Sequence, residues 1–542
     1  MNLKPTGNRI IWTLFFLFVF VFLLRNSFSY LDPDLGWHLR VGQEILESKS
    51  VPSVEYYDYT LAGKKWVDHE WLTNAVIYFI YNHFGYIVLN IIFALLIITM
   101  LLTMNAFIKK YFVSSAAYFW LPFVLIPLET LGVVAISPHI GVRVQEIGIL
   151  FLLLLLIIIK KFESTKNQTT LFWLIPLFYL WSCLHGSFLI GFCLLGLWAV
   201  IKFIENFTRR LPRLSFLKSP DLLAKKDLFI FSGFSLAAFA VTFFTPYGFK
   251  LYLFLLGYAD NFYTKHISEW LPAFTYPFQY HQLLYLSFAG AILLIYFFNF
   301  YYSKKQQKNF PAQLDLWQIS LFFIFLLLAF KSRRHFPLFF IVSLPIIAGL
   351  LAQELSQKKL RISFNNFFVK SYLAIAFVLV IAALFLKTNF TNEPFNNVKF
   401  CRYYPCAALD FLKTDRHYLD LKIFNSYNWG GYLIWAWPEK QLFIDGRLPQ
   451  YPYKNHTFLE EYYEFFNKEK TEQKLSEYDI QLILLRVDQP TKVKWWEKKL
   501  FGIEESKINS NLNSLVEYFD AANEWENIYR DGISRVYKKI QK

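Results

Sequence analysis

The chain has 542 residues, a formal net charge of +15, and a hydrophobic content of 55%. A mean hydropathy of +0.32 and an aromatic content of 20% are too high for a water-soluble globular protein, so lipid is the main solvent of this chain. Lys and Arg fall mainly in short runs between apolar segments. This pattern indicates membrane topology and argues against nucleic acid as a partner.

Apolar runs that can cross a bilayer recur along residues 1–387, which we predict to form an α-helical polytopic membrane domain. A spanning helix needs about 20 apolar residues, because every backbone N–H and C=O must be bonded within its own segment. About eleven transmembrane helices are predicted. They are placed at 10–28, 86–108, 112–128, 144–160, 171–184, 186–204, 228–245, 281–302, 315–331, 334–354 and 370–387.

The charges of the connecting loops predict the orientation. Lys4 and Arg9 precede the first span, and no small-residue cleavage site follows it, so it is an anchor with a cytoplasmic N-terminus. Counting onward, every loop that falls inside is basic, as the positive-inside rule requires. The loop 30–72 falls outside and holds eight acids against four bases. An odd number of spans places residues 388–542 outside as well.

After residue 387 the hydropathy falls and short helix and strand patterns alternate, which predicts a soluble α/β domain over 388–542. A closing hairpin turns at Asp531-Gly532. Cys401 and Cys406 can form a small disulfide if the domain faces an oxidising compartment, and the sequence leaves that open. Helices are predicted near 406–413, 457–467 and 471–478, and strands near 422–425, 441–445 and 481–487.

The loop 30–72 carries a cluster of acids, His and Trp at each end. These clusters are Asp32-Pro-Asp34-x-x-Trp37-His38 and Trp66-Val-Asp68-His69-Glu70-Trp71. Carboxylates at the edge of a low-dielectric region can be tuned to act as a base or can hold a cation, so Asp32 and Asp34 are candidate catalytic residues. Two structural alternatives stay open: Asp34 can cap the next helix, and the second cluster can be an interfacial Trp belt.

One outer loop breaks the charge pattern. Lys331-Ser-Arg333-Arg334-His335 lies on the side that is otherwise poor in Lys and Arg, and Arg143 begins another span on that side. Guanidinium forks match phosphate oxygens, and charge at the membrane edge is costly without an anion. The prediction is a site for a lipid phosphate at Arg143, Arg333, Arg334 and His335, with snorkelling to ordinary headgroups as the alternative. The remaining outer segments around His185, Thr245–Gly248 and Glu269–Pro272 are interpreted as turns or belt.

These features resemble the GT-C superfamily of polyprenyl-phosphate-dependent glycosyltransferases. More closely, the chain is similar to a group of bacterial membrane proteins that carry the motifs D-x-D-x-x-W-H-L, W-V-x-H-E-W-L, W-G-G-Y-L and F-I-D-G-R. Here these motifs lie at 32–39, 66–72, 429–433 and 443–447. In GT-C enzymes an acid of the first outer loop serves as catalytic base or metal ligand, and the match assigns that role to Asp32 or Asp34.

The resemblance implies a hexosyl or pentosyl transferase in the bacterial plasma membrane. It would move a sugar from a polyprenyl-phosphate donor to a lipid, glycan or protein acceptor on the extracytoplasmic side. No soluble cofactor is implied, a divalent metal ion stays open, and the oligomeric state is not indicated. Candidate substrate-binding residues are Trp37, His38, Asp68, His69, Glu70, Glu269, Trp429, Asp445 and Arg447.

Two features limit this interpretation. The segment 428–432 is similar to the W-W-D-Y-G acceptor motif of oligosaccharyltransferases, but it lacks that motif's Asp and second Trp, which argues against a peptide acceptor. A flippase for an amphipathic lipid-linked substrate is one alternative, although the charges cluster at the outer edge and no internal repeat is evident. A non-catalytic envelope assembly protein is the other.

Overall fold

The computed structural model describes residues 5–208, 223–257, 261–305, 314–357, 390–510 and 512–540. Before residue 358, most of the described secondary structure is helical. In chain order the α-helices are α1 (Pro5–Ser29), α2 (Leu35–Ser48), α3 (Trp71–Tyr111), α4 (Leu121–Ile136), α5 (Gln145–Thr165), α6 (Leu174–Leu184), α7 (Phe188–Thr208), α8 (Lys225–Val241), α9 (Phe249–Leu256), α10 (Asn261–His266), α11 (Tyr280–Lys305), α12 (Leu316–Lys331) and α13 (Phe336–Gln357).

Seven helical segments in the described part of the chain are long and apolar enough to cross a membrane. They are Arg9–Ser29, Trp71–Tyr111, Ser115–His139, Phe188–Phe207, Lys225–Phe244, Tyr280–Tyr302 and Arg333–Ser356. Two shorter apolar helices, Gln168–Leu184 and Leu316–Lys331, accompany them. A polytopic helical membrane protein is thus confirmed. The total of eleven spans stays a prediction, and the predicted span at 370–387 lies outside the described residues.

The long helix α3 is interrupted at Gly85, directly before residue 86, where the second span was predicted to begin. Gly85 has a φ of 78° and a ψ of 173°, a conformation that glycine adopts without a Cβ penalty and that interrupts the helix. The interruption leaves the backbone N–H of Ile87 without an intrahelical partner, and Asn392 Oδ1 accepts from it at 3.1 Å. The apolar span therefore begins after Gly85, while residues 71–84 form a separate helical arm.

The predicted outer loops meet at one end of the helices and predicted inner residues meet at the other. At the outer end Arg143 contacts both Asp32 and Glu269. At the inner end Lys202 Nζ lies 3.0 Å from Glu163 Oε1, and both side chains are almost fully buried. Buried charges are retained where they are paired, so these contacts fix the relative positions of helices distant in sequence. The alternation of loops is as predicted, and its orientation relative to the cytoplasm stays a prediction.

The C-terminal region is a small α/β unit built on a four-stranded sheet. The strand order is β1-β4-β6-β5, in which β1 pairs parallel with β4 and the other pairs are antiparallel. The elements are α14 (Cys406–Leu412), α15 (His417–Asp420), β1 (Ile423–Asn425), α16 (Gly430–Ala436), β2 (Pro452–Tyr453), β3 (His456–Thr457), α17 (Phe458–Glu464), α18 (Thr471–Glu477), β4 (Leu482–Arg486), α19 (Trp495–Phe501), α20 (Glu505–Ile508), α21 (Ser514–Ala521), β5 (Trp525–Arg530) and β6 (Ser534–Lys539).

Most predicted elements of this region are present, including the hairpin that turns at residues 531–532. Cys401 and Cys406 form a disulfide. The predicted strand at 441–445 is wrong, because Leu442 makes only an isolated bridge, and it makes that bridge to the first outer loop. Leu442 N donates to Tyr57 O at 2.9 Å, and Tyr59 N donates to Leu442 O at 3.0 Å.

The first outer loop and the C-terminal region share one hydrophobic core. Buried residues from 35–66 pack with buried residues from 400–537 in a single cluster. Helix α2 approaches α16 so closely that a Cβ on Gly36 would lie 2.1 Å from the carbonyl oxygen of Gly431. A Cβ on Gly431 would in turn lie 2.4 Å from Pro33 O. The two glycines of the W-G-G-Y-L motif therefore serve helix packing, since Gly430 also abuts the backbone of Asp445.

Candidate active site

A cavity of about 340 Å³, hereafter the main cavity, lies where the outer loops meet. It lies between the first outer loop and the N-terminal ends of α5, α7 and α13. Its titratable lining residues are Asp32, Asp34, His38, Asp68, His69, Glu70, His185, Arg334, His335, Tyr263 and Arg447. Its apolar lining includes Ile149, Leu189, Ile190, Leu255, Pro337 and Leu338. Charged groups and aliphatic side chains from helix ends therefore share one space, which suits an amphipathic ligand.

Asp34 is the N-cap residue of α2, yet its carboxylate makes no capping hydrogen bond. The capping alternative weighed from the sequence therefore does not account for this side chain. Its Oδ1 faces Gly446, where a Cβ would lie only 2.4 Å away. Burial, reinforced by the nearby Asp32 and opposed by His38, raises the pKa of Asp34 to about 6. Asp34 is thus ionised at neutral pH but is a stronger base than an ordinary carboxylate.

An ionic chain connects Asp32 to Arg334 beside the main cavity. Its two middle members, Arg143 and Glu269, do not line that cavity, so their predicted contacts with the donor phosphate and the substrate stay predictions. Arg143 Nε lies 3.7 Å from Asp32 Oδ2, and Arg143 Nη1 donates to Glu269 Oε1 at 2.6 Å. Arg334 Nη1 donates to the other oxygen, Glu269 Oε2, at 3.1 Å. Burial alone would raise the pKa of Glu269, but Arg143 and then Arg334 hold it well below its usual range. Glu269 therefore stays ionised and orients both guanidinium groups.

Arg333 and Arg334 are neighbours in sequence but have different environments. Arg333 is buried, and its Nη2 donates to the carbonyl oxygens of Thr275 and, at 3.0 Å, of Pro277. It holds the loop that precedes α11 and is absent from the residues that line the main cavity. The assignment of Arg333 to a phosphate site is therefore corrected. Arg334 lines the cavity, and its guanidinium lies 5.3 Å from the ring centroid of Trp270.

The acidic cluster at residues 66–71 also lies at the main cavity, which it lines with Trp66, Asp68, His69 and Glu70. An interfacial Trp belt was the alternative interpretation of this segment. His38 Nδ1 lies 2.6 Å from Asn74 Oδ1, and Asn74 Nδ2 donates to Asp68 Oδ2 at 2.8 Å. Burial raises the pKa of Asp68 to about 6, against the opposing effect of His69. This relay fixes the orientation of the His38 ring, which lies 3.7 Å from the ring of Trp37.

Glu70 lies between two imidazole rings. Its Oε1 is 3.4 Å from His69 Nε2 and 3.5 Å from His185 Nε2. Burial would raise the pKa of Glu70, but His69 and His185 lower it well below its usual range. Ser187 N donates to His185 Nδ1 at 3.2 Å, which leaves the Nε2 proton of His185 to face Glu70.

Asn74 and His185 are two of the residues at this site that sequence reasoning missed. His185 was interpreted as part of a turn or belt, and Asn74 was not singled out. A periodicity argument was available for Asn74, since it follows Glu70 by one helical turn and so lies on the same face of α3. For His185 the only signal was a titratable residue at the predicted outer end of a span.

The F-I-D-G-R motif forms a buried clamp between the C-terminal region and the first outer loop. Arg447 donates from Nη1 and Nη2 to Glu55 at 2.8 and 3.0 Å, and from Nε to Asp445 Oδ1 at 3.0 Å. Its guanidinium lies 4.3 and 4.6 Å from the ring centroids of Tyr57 and Trp66. Arg447 touches the main cavity, but these partners occupy its donors.

Two predicted substrate-binding residues are corrected by the same geometry. Asp445 is buried against Arg447 and does not line the main cavity. Trp429 is also buried, and its Nε1 donates to Tyr403 O at 2.9 Å. Both residues hold the C-terminal region together, and neither side chain faces a ligand in the described cavity.

A divalent metal ion was left open by the sequence. Within the part of the chain that the structure describes, no three His, Cys, Asp or Glu side chains converge as metal ligands. Asp32 is engaged by Arg143, and the Oδ1 atom of Asp34 packs against Gly446. This donor set does not fit a metal site, since Mg²⁺ and Ca²⁺ require several converging oxygens.

No family model matches the chain, and no curated protein matches its sequence. Among solved structures, the oligosaccharyltransferase of Archaeoglobus fulgidus in its apo form is similar over 90% of this chain and 70% of that chain, with a TM-score of 0.53 and 12% identity. The same enzyme tethered by a disulfide to an acceptor peptide containing the NVT sequon is similar over 99% and 74%, with a TM-score of 0.51 and 13% identity. The likeness shows that this chain shares the fold of that enzyme. The motifs and the bacterial group stay predictions.

Proposed function

We propose that this protein is a membrane glycosyltransferase that takes a sugar from a polyprenyl-phosphate donor and transfers it to an acceptor hydroxyl on the extracytoplasmic side. One observation carries the proposal. Asp34, with a raised pKa, and Arg334 line the same main cavity, which is also lined by aliphatic side chains. The GT-C-type fold is consistent with this activity. The disulfide of the C-terminal region supports an oxidising compartment on that side.

The cavity walls indicate how the donor would lie. The phosphate would face Arg334 and His335, because both residues line the main cavity and Glu269 already orients the Arg334 guanidinium there. The first isoprene units would pack on Leu189, Ile190 and Leu338, at the N-terminal ends of α7 and α13. The sugar would then lie between Arg334 and the acids of the first outer loop.

The proposed reaction is a single displacement with inversion at the anomeric carbon. Asp34 takes the proton of the acceptor hydroxyl as its oxygen forms a bond to the anomeric carbon. The bond from that carbon to the phosphate oxygen breaks, and the electron pair leaves with the polyprenyl phosphate. Arg334 stabilises the charge that develops on the phosphate, and Arg143 holds the Asp32 carboxylate in place through an ion pair. No nucleotide is needed, because the lipid phosphate is the leaving group.

The test is transfer by the full-length protein in lipid nanodiscs, supplied with a panel of fluorescent polyprenyl-phosphate sugars. Release of polyprenyl phosphate reports the reaction whether the acceptor is a glycan or water. Asp34→Asn is expected to lower the rate by 100-fold or more, in line with the loss of a general base, which contributes about 10²–10⁴-fold. Asp410→Asn, at an exposed surface position, is the matched control and keeps full activity. Full activity of the Asp34→Asn variant would refute the mechanism.

A further inference from the structure

A second cavity, of about 500 Å³, borders the first and has no role in the mechanism above. The segment 31–34 forms the wall between them, because Leu31 and Pro33 line the second cavity while Asp32 and Asp34 line the main one. The other walls come from the end of α1, the segment at Ser137–Pro138, and residues 399–404 of the C-terminal region. Arg143, whose Nε lies 3.7 Å from Asp32 Oδ2, also lines the second cavity, so the two cavities approach each other at this ion pair.

The lining of the second cavity is aromatic, with cationic but no acidic side chains. Tyr30 and Tyr403 expose 68% and 57% of their surface, which is unusual for rings beside a concave surface. Tyr404 stacks on Phe400 with ring centroids 3.9 Å apart. Burial raises the pKa of Tyr404, with smaller contributions from Asp32 and Asp34. Lys399 contributes a cation at the rim.

We propose that this second cavity binds the acceptor and that the acceptor is a carbohydrate, an inference that rests on the proposed transferase function. Exposed tyrosine rings present a flat apolar face with a polar edge, which matches a sugar ring with its apolar face and hydroxyl rim. The absence of acidic groups among its lining residues also admits uronate or phosphate substituents on the glycan. Tyr404 would position the acceptor against the segment 31–34, and its attacking hydroxyl would reach the main cavity past the Arg143–Asp32 pair.

Binding is measured with the full-length protein in nanodiscs on an array of defined oligosaccharides, without donor. Tyr30→Ala and Tyr403→Ala are each expected to lower the affinity for the bound glycans roughly tenfold, the scale of one lost ring contact. Tyr118→Ala is the control. Tyr118 is an exposed tyrosine whose ring contacts Lys109 at the far end of α3, and its replacement is expected to leave binding unchanged.

The Asp34→Asn variant separates this inference from the proposed function. It is expected to bind the same glycans, because binding needs no base, even if the protein proves to have no transferase activity. The inference is overturned if no glycan on the array binds, if both tyrosine variants bind like the parent, or if a peptide pool competes for the cavity and glycans do not.

A different observation concerns the short helix α19. Its apolar side chains Trp495, Leu500 and Phe501 expose 75%, 70% and 53% of their surface, although they belong to the C-terminal α/β unit. Lysines accompany them at 492, 494, 498 and 499. A surface that combines exposed aromatic and aliphatic groups with cations is typical of an interfacial membrane helix.

The position of α19 places it at the membrane boundary. The Phe501 ring lies 4.9 Å from Phe278, and the Trp496 ring lies 5.2 Å from Tyr280, the first residue of the span α11. Tyr280 also donates to Glu497, so the helix is tied to the outer start of that span. Trp and Tyr at a span end mark the headgroup level, and α19 therefore lies at the same depth.

We infer that α19 rests on the outer leaflet, with Trp495, Leu500 and Phe501 among the acyl chains and its lysines on anionic headgroups. A Trp495→Cys variant, in a chain whose free Cys183 and Cys193 are replaced by alanine, carries an environment-sensitive fluorophore in nanodiscs. Spin-labelled lipid is expected to quench it at least threefold more than the same label at an Asp415→Cys control. Equal quenching at both positions would overturn the inference.

The lipid preference has its own readout. Lys492→Glu with Lys499→Glu is expected to reduce the quenching at position 495 in phosphatidylglycerol nanodiscs and to have little effect in phosphatidylcholine, since each cation adds attraction only to an anionic surface. Lys498 is left unchanged because it pairs with Glu505. Equal effects in both lipids would refute the assignment of anionic headgroups.

Discussion

The Arg447 clamp gives the most quantitative test of how the first outer loop is joined to the C-terminal region. Arg447→Met keeps the bulk of the side chain but removes every hydrogen bond that the guanidinium donates to Glu55 and Asp445, which are both fully buried. Two carboxylates then stay in the core without a cation. Removing one partner of a buried ion pair costs about 3–5 kcal/mol. For a unit of this size that corresponds to a fall in unfolding temperature of roughly 6–20 °C.

The assay is thermal unfolding of the full-length protein in detergent, followed by Trp fluorescence. Arg486→Met is the matched control, because Arg486 pairs with Asp488 at an exposed position and such pairs contribute about 1 kcal/mol or less. The triple change Glu55→Gln, Asp445→Asn and Arg447→Met is expected to recover most of the stability, since no charge is then stranded. If Arg447→Met unfolds at the same temperature as Arg486→Met, the clamp does not join the two parts.

Three other outcomes follow from the structure. The transfer rate is expected to fall as pH drops through about 6, the pKa of Asp34, and a midpoint near 4 would exclude this base. Gly36→Ala is expected to cost about 1–3 kcal/mol by overpacking against Gly431, whereas Gly196→Ala, which faces open space, is neutral in the same unfolding assay. Burial, and after it Asp445, raises the pKa of Asp58. The protonated Asp58 carboxyl therefore contributes to stability at low pH, and this contribution is lost as the pH rises. Asp58→Asn is expected to raise the unfolding temperature at pH 8 but not near pH 4.

The membrane helices were predicted from hydropathy, and the loops that lie on the same side of the membrane were predicted from their charge. This was sufficient to bring Asp32, Arg143 and Arg334 to one face of the bundle, because alternating loops of a helical membrane protein must alternate sides. Sequence could not separate Arg333 from Arg334. Their directions depend on a single 3₁₀ turn after Ser332 and on the carbonyls at Thr275 and Pro277, which are distant in sequence.

The division of the chain after residue 387 was predicted from hydropathy alone. Hydropathy does not reveal that the first outer loop packs against the C-terminal region. The loop 30–72 is polar enough to be a connection, yet its buried residues belong to the core of the C-terminal region. The strand predicted at 441–445 failed for the same reason. The backbone of Leu442 in this segment bonds to Tyr57 of the first loop and not to a neighbouring strand of the sheet.

The four sequence motifs divide into two physical roles that meet at Asp34. The motifs at 32–39 and 66–72 supply side chains to the main cavity, whereas those at 429–433 and 443–447 provide glycines and a buried arginine that hold the first loop in place. Gly446 lies against Asp34 Oδ1 and so contributes to the burial that raises the pKa of this carboxyl. A side chain at position 446 would displace Asp34 before it affected any other group of the cavity. The C-terminal region therefore acts as the back wall that sets the basicity of the proposed catalytic residue.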